Sequence, residues 1–444
     1  MRQNKPLLTF VFSLIVQFCL AQPKDTRPNI IYIMADDMGY ADLSCYGRKD
    51  YQTPYLDKLC SQGIKFMNAY ANAPVCTPTR VALFTGRYPA RVPVGLHEPL
   101  DWSKKDSSVG LSPSHPSLPS LLRKAGYETY LVGKWHLGFD LRKYSPLKHG
   151  FDEFFGFNGG GIDYISHTDP FGNDDLFEND RPVTKDGYMT DILTDRAVDI
   201  IKRKHNKPFF LCVTFNAPHW PWQGPGDKPY SLGMTNWRKG GSAQTYAAMM
   251  KKLDSAVGKI VMTIDDLILA NNTVFIFTSD NGGEKYSDNG IYQGGKQTLW
   301  EGGIREPAFI RWTGKIKEGS VTNQVVTTFD WMATILSLAH AQADPKFPLD
   351  GMDLSQVLIG QQNETDRILY WRISQRRQNK AMRNGKWKWL QDEKGNEYLF
   401  DLVSDPGETK NMKNDFPEVF QKLKKEFTGW EKKMLKPLPL ISEN

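Results

Sequence analysis

The sequence predicts an α/β protein. A large, mostly parallel or mixed β-sheet is sandwiched by helices, with a smaller antiparallel sheet and a helix at the C-terminal end. Three observations carry that expectation. Four compact apolar runs end abruptly in polar residues, helix-period segments separate them, and the patterning changes to short strand-like pieces beyond residue 360. Strands apolar on both faces and joined by long helical connections belong to sheets covered on both sides. Polar residues that terminate such strands collect along one sheet edge, where α/β folds place their ligands.

The first run, PNIIYIMA at 28–35, stops in Asp36-Asp37. TYLVG at 129–133 leads into Lys134-Trp135-His136, and FFLCVTF at 209–215 into Asn216-Ala217-Pro218-His219. TVFIFTS at 273–279 runs into Asp280-Asn281-Gly282-Gly283. Helical patterns cover 53–62, 117–125, 189–204 and 245–264 between them. Further on, 368–373, 380–391 and 397–402 read as strands, with turns at Asn384-Gly385 and Lys394-Gly395-Asn396, and 417–433 reads as an amphipathic helix. The expected organisation is a leader at 1–21, a large unit at 22–360 and a C-terminal subdomain at 361–444.

The leader follows from Arg2 and Lys5, the apolar stretch 7–18 and the small residue Ala21, the pattern of a cleaved secretory signal peptide. The apolar stretch falls short of the roughly 20 residues that span a bilayer. A secreted or periplasmic protein without a stable membrane anchor is therefore expected. Five cysteines in 444 residues exclude a disulfide-stapled module, and Cys45, Cys60 and Cys212 read as small buried side chains. The formal net charge is +6, but acidic residues are interspersed with basic ones, so no nucleic-acid partner is expected.

The chemistry concentrates at the strand ends. Asp36, Asp37, Asp280 and Asn281 offer only oxygen ligands, as a hard cation prefers. Like charges so close would raise one another's pKa unless a positive charge opposed them. Read singly, either pair is also an ordinary acidic dipeptide or turn. Cys76 precedes a helix-like segment and is open to two readings, an activated thiol or a buried cysteine at a helix start. Arg80, Lys134, His136, His219 and Lys296 around a metal would make an anion-selective pocket. The eight histidines form no three-histidine signature, which argues against zinc.

Six motifs in order then carry a resemblance. They are PNIIYIMADDMGY, CTPTR with its continuation Leu83 to Arg87, GKWHLG at 133–138, NAPHWPW, SDNGG and GGKQTLWEGGIREP. The chain resembles type I, formylglycine-dependent sulfatases of the alkaline phosphatase superfamily, over essentially its whole mature length, and looks like secreted bacterial carbohydrate sulfatases. The signature C-x-P-x-R is intact, with Thr79 where many relatives have serine.

The resemblance implies an alkaline phosphatase-like fold and a catalytic unit at 22–360. Cys76 would be oxidised to formylglycine by a formylglycine-generating or an anaerobic sulfatase-maturating enzyme, its gem-diol acting as nucleophile. Arg80 would hold that diol, and one Ca²⁺ would sit on Asp36, Asp37, Asp280 and Asn281. Lys134 and Lys296 would bind sulfate, His219 would protonate the leaving oxygen, and His136 would assist sulfate loss. The implied reaction is O-sulfate hydrolysis on a sulfated glycan, exo-acting on a galactose or N-acetylgalactosamine type unit. His97, Glu98 and His167 are then expected to meet sugar hydroxyls, Trp220 and Trp222 to stack on sugar faces, and Arg376 and Arg377 to reach an acidic neighbouring sugar. The alternatives are an arylsulfatase, a phosphate or phosphonate ester hydrolase of the same superfamily, and a noncatalytic glycan-binding relative.

Overall fold

A computed structural model describes residues 26–102, 109–375 and 377–440. The expected leader at 1–21 and Arg376 lie outside the described residues. In chain order the strands are β1 (Asn29–Ala35), β2 (Ile64–Phe66), β3 (Ala69–Tyr70), β4 (Glu128–Lys134), β5 (Glu153–Phe157), β6 (Phe177–Glu178), β7 (Arg181–Pro182) and β8 (Phe209–Thr214). They continue with β9 (Thr273–Ser279), β10 (Ala308–Trp312), β11 (Ser320–Thr322), β12 (Val326–Thr327), β13 (Ile368–Ile373), β14 (Asn379–Asn384), β15 (Trp387–Gln391) and β16 (Glu397–Asp401).

Ten of these form one sheet in the order β11-β2-β10-β9-β1-β8-β4-β5-β6-β7. The centre is parallel: β1 pairs with both β8 and β9, and β4 with both β8 and β5. β10 enters antiparallel beside β9, so the sheet is mixed. Each central strand is buried along nearly its whole length, which is why its sequence reads as a continuous apolar run.

Alternation along β1 divides the core in two. Ile31 and Ile33 face one cluster, while Ile30, Tyr32 and Met34 face the other. The helices Met189–Lys202 and Ala243–Asp266 cover the first face through Leu193, Ala197, Leu253 and Val257. The helices Cys76–Thr85, Leu118–Lys124 and Thr328–Leu338 cover the second through Leu83, Leu122 and Ile335. Among the described residues no helix is long and apolar enough to cross a membrane.

β13 to β16 form the expected antiparallel meander, with Asn384 and Trp387 paired across the Gly385 turn. The helix Pro417–Glu431 packs on it through Phe420, Leu423, Phe427 and Trp430. Buried charges tie this smaller sheet to the short helix Glu301–Ile304. Lys388 of β15 lies 2.9 Å from Glu301 and 2.8 Å from Glu408, and all three side chains are buried.

Candidate active site

The C-terminal ends of β1, β4, β8 and β9 deliver Asp36-Asp37, Lys134, His219 and Asp280-Asn281 to one edge of the sheet. A second layer brings Cys76 in: it is the first residue of the helix Cys76–Thr85, and the preceding Val75 is extended. Asp37 and His136 hold φ of 64° and 56°, conformations that cost energy for non-glycine residues and collect at functional sites.

Charges of both signs interlock here. Lys134 Nζ lies 2.6 Å from Asp36 Oδ2, and Arg80 Nη2 lies 2.9 Å from Asp280 Oδ2 and 3.9 Å from Asp36 Oδ1. Lys296 Nζ lies 2.6 Å from Asp37 Oδ2 and 3.5 Å from Glu284. Asn281 Nδ2 donates to Asp37 Oδ1 at 2.8 Å. Burial and then the neighbouring Asp280 carboxylate push Asp36 well above the usual carboxylate range, and Lys134 only partly offsets them. Burial alone would lower the Lys296 ammonium, but Asp37 and Glu284 raise it instead.

A helix N-terminus ordinarily lowers a cysteine's pKa. At Cys76 burial wins, and the thiol is pushed up to about 11. The unmodified side chain is therefore a neutral thiol near pH 7. Thr79, the departure from serine, keeps its hydroxyl on the Ala73 and Val75 carbonyls at 3.0 and 3.2 Å.

The two histidines present opposite ring atoms. His136 places Nε2 2.8 Å from the Leu100 carbonyl, so Nε2 carries the proton and Nδ1, buried and without a partner, is the acceptor. His219 places Nδ1 2.5 Å from the Trp220 carbonyl, leaving Nε2 as its acceptor atom, 3.5 Å from Asp37. Burial and the nearby lysines push both imidazoles well below the ordinary histidine value, so both are neutral in the resting site.

The donor set suits a metal on its own chemistry. One oxygen of each of Asp36 and Asp37 lies within 4.8 Å of a His219 nitrogen, and Asp36, Asp280 and the Cys76 sulfur are equally close together. Asp36 Oδ1 and Asn281 Oδ1 are buried without any hydrogen-bond partner among the described residues. Buried orphan oxygens among carboxylates fit a hard cation such as Ca²⁺.

Above this floor a pocket opens, lined among others by Cys76, His136, His219, Lys296, Trp220 and Arg238. Of the positions expected at the substrate rim, Trp220 lines it. The other described positions are placed elsewhere. Glu98 is buried, its Oε2 accepting from the backbone of Ser374 and Gln375 at 2.6 and 2.8 Å. His167 is buried against the Gly187 carbonyl at 3.1 Å, Trp222 packs edge-on to Tyr286, and Arg377 pairs with Glu393 at 3.0 Å. His97 is half-buried and does not line the pocket. Asp101 and Trp102, in the loop after the nucleophile, line the pocket, whereas sequence reasoning missed Met234 and Arg238, which no local motif marks.

A parallel-sheet edge carrying an oxygen-rich cation site, ringed by lysine, arginine and a helix-borne residue 76, defines a metal-assisted hydrolase of anionic esters. Residues 28–341 match the Sulfatase family model, and residues 289–433 match the model described as N-sulphoglucosamine sulphohydrolase, C-terminal. The chain belongs to the sulfatase family, hydrolases of sulfate esters that work with Ca²⁺ and formylglycine. It is 35% identical over 372 residues to N-acetylgalactosamine-6-sulfatase of Homo sapiens, covering 78% of this chain and 68% of that one. It is 36% identical over 346 residues to Arylsulfatase J of Mus musculus, covering 75% of this chain and 56% of that one. The crystal structure of Ps i-CgsB matches with a TM-score of 0.84 at 30% identity, over 93% of this chain and 95% of that one. Its complex with k-i-k-neocarrahexaose matches with a TM-score of 0.83 at 30% identity, over 94% and 95%.

Proposed function

We propose that this carbohydrate sulfatase is exo-acting on a galactose or N-acetylgalactosamine type unit, after secretion or export to the periplasm and conversion of Cys76 to formylglycine by a maturating enzyme. The observation that carries the reading is the meeting of residue 76 with Asp36 and Asp280 beneath a pocket walled by Trp102 and Trp220. Aromatic walls suit the C–H faces of a sugar. A likeness to a sulfatase named for N-acetylgalactosamine and to a structure holding a neocarrahexaose supports a carbohydrate of this kind.

Asp36, Asp37, Asp280 and Asn281 would hold Ca²⁺, which would supply Lewis-acid polarisation, and formylglycine at position 76 would supply the nucleophile. The remaining work belongs to side chains already in place. Arg80, anchored on Asp280 and on the Lys134 carbonyl at 3.0 Å, orients residue 76. Lys134 and Lys296 neutralise sulfate oxygens with charges held in a buried floor, where such charges act strongly. His219 takes up a proton at Nε2 and delivers it to the leaving oxygen, and His136 offers Nδ1 as the proton acceptor for sulfate release.

The test is inorganic sulfate release from sulfated mono- and oligosaccharides. The enzyme is co-expressed with a formylglycine-generating enzyme, supplied with Ca²⁺ and compared with Cys76→Ala. Release from a galactose or N-acetylgalactosamine sulfate that the variant lacks is the expected result. Equal release by both proteins overturns the assignment of residue 76. No release by a wild-type protein whose conversion is confirmed by mass overturns the substrate.

A further inference from the structure

The pocket holds one cation that the sulfate chemistry above leaves unused. Arg238 lies near the end of the short helix Met234–Lys239, whose Trp237 is buried. Trp237 lies edge-on to Trp220, with ring centroids 6.3 Å apart at 70°, and Gly233 N donates to the Pro170 carbonyl at 2.7 Å. Those contacts fix the segment so that the Arg238 guanidinium lies over the Trp220 ring, 5.0 Å from its centroid. The side chain is exposed and makes no ion pair among the described residues. Its charge nevertheless reaches His219, where it helps keep the imidazole neutral.

Stacking on an indole holds a guanidinium in place and leaves its N–H groups available in plane, the geometry that binds a carboxylate or sulfate bidentately. The other cations at the site serve the floor and the sulfate that is cleaved: Lys134 lies on Asp36 and Lys296 on Asp37, beside residue 76. Glu284, a carboxylate that shares the pocket, sits on Lys296. Arg377, the described C-terminal cation expected to meet an acidic sugar, is paired with Glu393 and does not line the pocket.

We propose that Arg238 is a specificity-determining residue: it binds a second anionic substituent, a sulfate ester or a carboxylate, on the sulfated sugar or its neighbour. The inference rests on the reading of the pocket as a carbohydrate sulfatase site. It makes the preferred substrate a sugar with at least two negative charges, one cleaved and one read.

The test compares kcat/KM on N-acetylgalactosamine 6-sulfate, on N-acetylgalactosamine 4,6-disulfate and on the 6-sulfate linked to glucuronate, with 4-nitrocatechol sulfate as the small substrate. Matured wild-type enzyme is expected to prefer one or both doubly charged sugars. Arg238→Gln lowers that preference about tenfold, and Arg238→Lys, a point charge without the fork, lowers it less. Added NaCl erodes the wild-type preference. A preference confined to the disulfate identifies the group as a second sulfate, and one confined to the glucuronide identifies a carboxylate. Absence of any wild-type preference, or a preference kept within twofold in Arg238→Gln, overturns the inference and leaves the sulfatase reading standing. Turnover of 4-nitrocatechol sulfate with no release from the three sugars overturns the sugar reading and this inference with it. Should Arg238→Gln fail to fold, an unchanged preference in Arg238→Lys at every salt concentration overturns the proposal as well.

Discussion

Lys134 Nζ and Asp36 Oδ2 lie 2.6 Å apart, and neither side chain has any exposed surface. The two residues close adjoining ends of a single sheet, since β8 alone separates the strands that carry them. One lysine does not balance the floor, because Asp36, Asp37 and Asp280 are all buried there. Arg80 and Lys296 complete a set of three cations against three carboxylates, yet Asp36 Oδ1 and Asn281 Oδ1 accept no hydrogen bond among the described residues.

Those orphan oxygens make Ca²⁺ a stabiliser as well as a catalyst. Adding Ca²⁺ is expected to raise the thermal midpoint and EGTA to lower it again. At a free concentration of about 100 times Kd the gain corresponds to about 2.7 kcal/mol. In Asp280→Asn the response shrinks, because one carboxylate is lost. Scanning calorimetry of both proteins with and without the ion checks this, and a wild-type midpoint indifferent to Ca²⁺ and EGTA would remove the metal from Asp36, Asp37, Asp280 and Asn281.

Gly133 controls how closely β4 approaches β8. Its φ is +117°, and a Cβ there would stand 2.0 Å from the Thr214 carbonyl oxygen. Gly133→Ala must therefore push Lys134 away from Asp36, and is expected to cost at least about 2 kcal/mol and most of the sulfate-releasing activity. Gly126→Ala provides the contrast. Its φ is +91°, but the nearest atom to a Cβ would be 3.7 Å away, an ordinary van der Waals contact with the Arg27 side chain. It carries backbone strain alone, about 1 kcal/mol. Equal chemical denaturation midpoints for the two variants would show that close approach is not what Gly133 provides.

The central strands were legible because burial on both faces removes polar residues from the run; 273–279 reads as a strand and β9 spans those residues. The edges were not. β6 and β7 have two residues each, and β10 runs antiparallel to β9 for reasons that lie in its pairing rather than in its composition. That Asp36, Asp37, Lys134, His219, Asp280 and Asn281 meet at one sheet edge was legible for the same reason as the strands, since each follows an apolar run or a dense motif. Glu98 shows the limit. A carboxylate beside His97 reads as a sugar ligand, but its partners Ser374 and Gln375 are nearly 280 positions further along the chain, and only the folded contact shows that it ties the segment 98–100 to the C-terminal sheet. Arg238 was invisible for the opposite reason. Nothing in its polar surroundings distinguishes it from a solvated surface arginine until Trp220 is seen beneath it.

Glu98 also predicts a pH dependence of stability. Burial raises its carboxyl from 4.5 to about 7, the Gln375 and Ser374 N–H groups offsetting only part of the shift. Between those values the folded chain keeps a proton that the unfolded chain releases, so stability falls as pH rises through this window and levels off above it. The shift sets an upper bound of roughly 3 kcal/mol. In Glu98→Gln the neutral amide still accepts both N–H groups and no longer titrates. The variant is expected to gain on wild type steadily from pH 5 to pH 8. Urea unfolding across that range measures the difference, and parallel curves would exclude Glu98 as the titrating group.

His219 sets the pH dependence of the reaction itself. Burial, Lys296 and Lys134 hold its imidazole well below the ordinary value of 6.5, so the protonated form becomes populated only in acid. A sugar alkoxide is a poor leaving group and needs that proton, whereas an activated aryl oxide does not. With sugar sulfate, kcat/KM is therefore expected to rise as pH falls below 6.5, until the carboxylates on the floor begin to protonate. With 4-nitrocatechol sulfate the same limb should be shallow. His219→Ala should cost about 10²–10⁴-fold on the sugar and much less on the aryl ester, and its sugar profile should lose the acid-requiring limb. If the variant loses the same factor on both substrates with an unchanged profile, the proton comes from another group, and the neutral Nε2 of His219 serves only to position sulfate.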